Sequence, residues 1–106
     1  MKQHIYLNDL YDYYKLLLTE KQRIYFEDYY FNNLSLSEIS ENNNVSRNAI
    51  HKTLKEVEQK LNKYERDLKL NEKYIAINKV ILDIDPKIKN KINKILEKWF
   101  WKLIYL

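Results

Sequence analysis

The sequence predicts an all-α fold: a helix-turn-helix unit with a long recognition helix, followed by further C-terminal helices. Three observations carry this. The 106 residues include no glycine and one proline, whereas sheet-rich folds lean on glycine turns. Apolar residues recur at three- and four-residue steps along most of the chain. Twice, a Ser or Thr stands three residues before a Glu or Gln at the start of such a run, the pattern of a capping box.

The first helix is expected over Ile5 to Leu18. Ile5, Leu7, Leu10, Tyr11, Tyr14, Leu17 and Leu18 share its inner face, with Asn8, Asp9, Asp12 and Lys15 outside. Thr19 and Gln22 form a capping box for a second helix running to about Phe31, with Ile24, Tyr25, Phe26, Tyr29 and Tyr30 supplying bulk. Ser35 and Glu38 form another, opening a short helix to about Asn42. The Asn42–Val45 stretch is a turn in which Asn43 or Asn44 takes the left-handed geometry usually given to glycine. Ser46 then caps a helix with no breaker for more than twenty residues.

That helix carries Ile50, Leu54, Val57, Leu61, Tyr64 and Leu68 at alternating steps of four and three, a heptad seam. Its first half is expected to pack on the N-terminal helices. Its second half needs another surface, either the C-terminal helices or a second copy of the chain. A further helix is expected over about 71–82, with Tyr74, Ile77, Val80 and Ile81 inward. Asp85 and Pro86 open the last one, whose stripe is Ile88, Ile92, Ile95 and Trp99, widened by Leu96, Phe100 and Leu103. The expected organisation is a helix-turn-helix domain over 1–70 and a helical extension over 71–106 that packs on it or on a dimer mate.

Composition narrows the function classes. Without cysteine there is no disulfide or thiolate metal site. His4 and His51 lie far apart, and no spacing suggests a metal centre. Phosphate-cradling loops and nucleophile elbows need glycine, which is absent. The acidic pairs Glu27-Asp28 and Asp83/Asp85 suit helix-cap and surface roles. The expectation is no enzyme, no catalytic residue, no metal and no cofactor. The N-terminus does not read as a signal peptide, and no apolar stretch reaches the roughly 18–20 residues that span a bilayer, so a cytoplasmic location is expected.

Charge is uneven. Residues 1–50 carry 5 basic and 7 acidic side chains, residues 51–106 carry 14 and 8. A basic half suits an anionic partner. Within residues 36–60, Ile39, Val45, Ile50 and Leu54 supply the inner face of the helix-turn-helix. Arg47, Asn48, His51, Lys52 and Lys55 are left on the outer face of the second helix, beside its cap Ser46. Donors at that end of such a helix reach base edges. Arg47 and Asn48 are the base-reading candidates, and Lys52 and Lys55 are candidate phosphate contacts. Lys21 and Arg23 are added as candidate backbone contacts. The partners expected are nucleic acid, DNA ahead of RNA, and a second copy of the chain in a homodimer.

The run LTEKQRIYFEDYYFNNLSLSEISENNNVSRNAIHKTLKEVEQKLNKYERDL, with YDYYKLLL upstream, resembles the YlxM family of small bacterial proteins over about residues 5–80. More distantly it resembles region 4 of bacterial sigma factors, which reads promoter DNA. The resemblance implies a regulatory or accessory role tied, through gene proximity, to the signal recognition particle pathway, with a particle component as a possible partner. It implies no catalytic residue. The sigma-like contacts it implies are Ser46, Arg47, Asn48, His51 and Lys52, the set reached from helix geometry.

Two alternatives stay open. In one, the helix-turn-helix is only a scaffold, and a seam of Leu54, Val57, Leu61, Tyr64, Leu68, Trp99 and Phe100 makes a homodimer or docks a protein. In the other, the C-terminal helix rests on a membrane surface: residues 86–102 carry six lysines and one glutamate, and both tryptophans lie nearby.

Overall fold

The computed structural model describes the backbone of residues 2–105 and the side chains of residues 4–98. Six α-helices follow one another: α1 (Lys2–Tyr14), α2 (Glu20–Tyr30), α3 (Leu36–Asn43), α4 (Arg47–Leu68), α5 (Leu70–Val80) and α6 (Pro86–Tyr105). No strand occurs among the described residues.

α1 buries Leu7, Leu10, Tyr11 and Tyr14, a stripe of one helical face. Ile5 and Leu17, expected on that face, are exposed, and Asn8, expected outside, is half-buried. The helix tightens into a 3-10 turn over Lys15–Leu17, which brings Leu18 into the core and leaves Leu17 out. Both capping boxes form. Thr19 Oγ1 accepts the Gln22 N–H at 3.2 Å while Gln22 Oε1 accepts the Thr19 N–H at 3.0 Å. Ser35 and Glu38 exchange the equivalent pair, each at 3.1 Å.

Two apolar clusters result, bridged by α4. Phe26 of α2 stacks on Tyr11, ring centroids 4.4 Å apart, and joins Leu7, Leu10, Tyr14, Leu18, Val57, Leu61 and Leu70. Its neighbour Tyr25 points elsewhere, into a smaller cluster with Ile39, Ile50 and Leu54. Consecutive residues on a helix diverge by about 100°, so α2 serves both clusters. Ile24, expected to supply bulk, is exposed as a consequence.

The heptad seam is used within the chain, and only in part. Ile50, Leu54, Val57 and Leu61 are buried and Tyr64 is half-buried, but Leu68 is 42% exposed. The inward position near the end of α4 goes to Glu65. α4 stops at Lys69, which takes a left-handed φ of 57°. Lys69 offers no side-chain cap to α5. Glu65 does so instead: its carboxylate accepts the Asn71 N–H at 3.0 Å and the Glu72 N–H at 3.1 Å. Tyr14 completes the joint, donating its hydroxyl to Glu65 at 2.6 Å and accepting the Leu70 N–H at 3.1 Å. This ties α1, α4 and α5 together.

α5 half-buries Tyr74 and Ile77, and Ile81 just beyond it is buried. Val80, expected inward, is 79% exposed, because the helix ends there and the chain turns, the Ile84 N–H bonding the Ile81 carbonyl. Asp85 caps α6 through the Lys87 N–H at 2.9 Å. On α6, Leu96 packs against the larger cluster and Ile92 is half-buried. Ile88 and Ile95, expected in the inward stripe, are exposed. Trp99 and Phe100, with the other aromatic residues of the tail, lie outside the described side chains.

Candidate nucleic-acid interface

The helix-turn-helix is built by α3, the turn and the first half of α4. Ile39 anchors α3 with no exposed surface. The turn resolves in favour of Asn44, whose φ of 54° is left-handed. Asn43 closes the helix end instead, its side-chain amide donating to the Ile39 carbonyl at 2.8 Å. Val45 packs half-buried against Tyr25, Ile39, Ile50 and Leu54. Ser46 Oγ accepts the Ala49 N–H at 3.0 Å and so starts α4 at Arg47.

With Ile50 and Leu54 turned in, helical geometry puts Arg47, Asn48, His51, Lys52 and Lys55 outside, and all five are exposed. The positive pole of the α4 macrodipole lies at the same end. The first turns of α2 and α3 carry Glu20 and Glu38, but that of α4 carries no acidic residue. Ser46 is exposed, its oxygen engaged in the cap. Lys55 stands 3.9 Å from the half-buried Glu58, a long ion pair that tethers the exposed lysine weakly. His51 and Lys55 also edge a shallow depression of about 150 Å³ with Tyr29, Tyr30, Leu36 and Glu58. α3 contributes no cation, since its charged residues are Glu38 and Glu41.

Lys21 and Arg23 part company. Lys21 is exposed beside the turn, edging a groove of about 320 Å³ with Tyr25, Asn43 and Val45. Its ammonium lies 5.8 Å from the Tyr25 ring centre, in cation–π range. Arg23 is half-buried and acts electrostatically on the Tyr11 hydroxyl of α1. Two residues along a helix is about 200° of rotation, so the two cations face different sides of α2. A wider open groove of about 600 Å³ lies away from this face, among Tyr6, Glu65, Arg66, Lys69, Ile75 and Lys79.

Glu65 was not anticipated. Its signal was present: a carboxylate four residues after Leu61, next to the apolar stripe, and no capping residue where α5 begins. Burial and the Glu65 carboxylate hold the Tyr14 hydroxyl well above its ordinary value, and burial and Glu27 do the same for Tyr11. Tyr13 is pushed up to about 12, chiefly by burial. These are properties of the joint between helices and not of the α4 face. No cluster of three or more potential metal ligands exists among the described residues.

An all-α chain whose third and fourth helices make this hairpin is a helix-turn-helix protein. The chain belongs to the UPF0122 family of YlxM / p13 like helix-turn-helix proteins, which it matches over residues 1–99. It is 45% identical over 84 residues to a UPF0122 protein of Desulforamulus reducens, covering 79% of this chain and 72% of that one. It is 42% identical over 96 residues to one of Malacoplasma penetrans, covering 88% of each chain. Against one of Fusobacterium nucleatum the identity is 39% over 98 residues, covering 92% of this chain and 95% of that one.

Proposed function

We propose that this protein acts without catalysis as a regulatory or accessory nucleic-acid-binding factor, with the first two turns of α4 entering the major groove. The observation that carries the reading is the start of α4. Arg47, Asn48, His51 and Lys52 are exposed together at a capped N-terminus free of acidic residues. Arg47 is the candidate for bidentate contact with guanine and Asn48 with adenine. Lys52, Lys55 and Lys21 serve as phosphate contacts, which set register. Arg23, half-buried and acting on the Tyr11 hydroxyl, is left out of this set.

A salt titration against duplex DNA and structured RNA tests this. With these three phosphates contacted, the slope of log affinity against log salt is about −3 on duplex DNA. Arg47→Glu is expected to abolish binding without unfolding the protein, since the side chain is exposed. Equal binding by Arg47→Glu and wild type would exclude α4 as the reading helix. The link to the signal recognition particle rests on family resemblance, and its RNA is the first structured RNA to try.

The second reading, a dimerisation or docking module, is supported by the exposure of Leu68 and Ile75 near the α4–α5 joint. Leu54, Val57 and Leu61 are not available to it, being buried within the chain. Light scattering separates monomer from dimer. A dimer serving duplex DNA would set its two recognition helices about 34 Å apart.

A further inference from the structure

α6 has two adjoining edges that stay exposed among the described residues. Lys87, Lys91, Lys94 and Lys98 follow one another at steps of four, three and four, so they share one face over about 16 Å of helix. All four are exposed, and no ion pair engages them among the described residues. One step round the helix stand Ile88 and Ile95, 51% and 66% exposed. Leu82 and Ile84 are exposed in the turn that leads into α6. The opposite edge of the apolar arc, Ile92 and Leu96, is the part turned toward the core.

We propose that this edge of α6 is a docking surface for an anionic lipid bilayer. The lysine row meets lipid phosphates, and the isoleucines enter the boundary between headgroups and acyl chains. The two rows argue for one occupant. A nucleic-acid backbone would use the lysines and leave the isoleucines in water. A second α6 would cover the isoleucines but not neutralise the lysines, because Glu97 is the only acidic residue in the helix. A lipid surface satisfies both rows. No described helix is long and apolar enough to cross a membrane, so the contact lies in the interface plane. It shares no residue with the α4 face and does not depend on it.

The test is co-sedimentation of the full chain with vesicles of phosphatidylcholine, with and without roughly one part in three phosphatidylglycerol. Wild type is expected to sediment only with the anionic vesicles and to be released by salt. Each lysine changed to glutamine weakens binding on the order of five-fold, and Lys87→Gln, Lys91→Gln, Lys94→Gln and Lys98→Gln together remove it. Ile88→Ser with Ile95→Ser weakens vesicle binding on the order of tenfold while leaving nucleic-acid binding unchanged. These side chains are exposed, and circular dichroism verifies that each variant folds.

Three results would overturn the proposal. One is failure of wild type to bind anionic vesicles at low salt. Another is vesicle binding unchanged by the isoleucine pair, which would reduce the contact to charge alone. The last is a dimer that Ile95→Lys dissociates, with no vesicle binding, which would assign the edge to a second copy. Arg47→Glu is expected to bind vesicles like wild type, so loss of the nucleic-acid reading leaves this one standing, and the reverse.

Discussion

Glu65 is the centre of the joint of α1, α4 and α5, with Tyr14 as its partner. It accepts two backbone N–H groups and the Tyr14 hydroxyl. Leaving buried donors unpaired costs about 1–3 kcal/mol each. Glu65→Ala is therefore expected to destabilise the fold by about 3 kcal/mol or more, read from urea unfolding. Glu65→Gln is milder, because one amide oxygen still accepts. Tyr14→Phe is expected to cost about 1–2 kcal/mol, since it removes the donor to Glu65 and the acceptor for Leu70. The tyrosines also set an alkaline limit. Tyr11, Tyr13 and Tyr14 are all raised from an ordinary value of 10.0. A raised folded value means the folded state holds the proton more tightly. The stability this contributes is complete below pH 10 and is lost as pH rises, for Tyr13 through about 12. Unfolding followed by tyrosinate absorbance is expected to begin above pH 10. A flat stability between pH 10 and 12 would contradict the burial of these hydroxyls.

Among the elements, helix ends carry the testable chemistry. Ser46→Ala removes the cap of α4 and is expected to cost about 1 kcal/mol. It should weaken nucleic-acid binding no more than the loss of stability explains, because the Ser46 oxygen already serves Ala49. The chain has no glycine, so its left-handed positions fall to Asn33, Asn44 and Lys69. Asn tolerates this geometry and Lys does so poorly. Lys69→Gly is expected to raise stability by about 0.5–1 kcal/mol, measured by thermal melting. The capping boxes and the turn were legible in sequence because caps and turns are short-range chemistry. The start of α5 was legible to within one residue, at about 71 against Leu70, but its cap was not, because it comes from a buried carboxylate four residues before Lys69.

For the whole molecule, the seam of α4 is the instructive case. Its period was visible, but period does not name the partner. α1 and α2 take Val57 and Leu61 into the larger cluster, so Leu61→Asp is expected to unfold the monomer and not merely dissociate an assembly. Circular dichroism at low concentration distinguishes the two. The radius of gyration is 16.4 Å, larger than the about 13 Å of a compact domain of this length. The extra reach fits a final helix packed along part of one edge. That is why Ile88 and Ile95 remain in water although the wheel of α6 groups them with Leu96.

The sequence alone determined the helical class, the helix-turn-helix, its asparagine turn and the outward row from Arg47 to Lys55. Periodicity, capping and the absence of glycine act over four residues or fewer, so they can be read without a fold. Tertiary structure alone decided which end of each apolar stripe is covered. Leu17, Leu68, Val80, Ile88 and Ile95 fit their stripes but are exposed. The core holds only as many side chains as neighbouring helices can enclose, and which helices become neighbours depends on contacts such as Tyr14 with Glu65, 51 residues apart. The same fact separates Lys21 from Arg23: both are cations at the start of α2, but Arg23 is half-buried and turned toward the Tyr11 hydroxyl of α1, while Lys21 is exposed beside the helix-turn-helix.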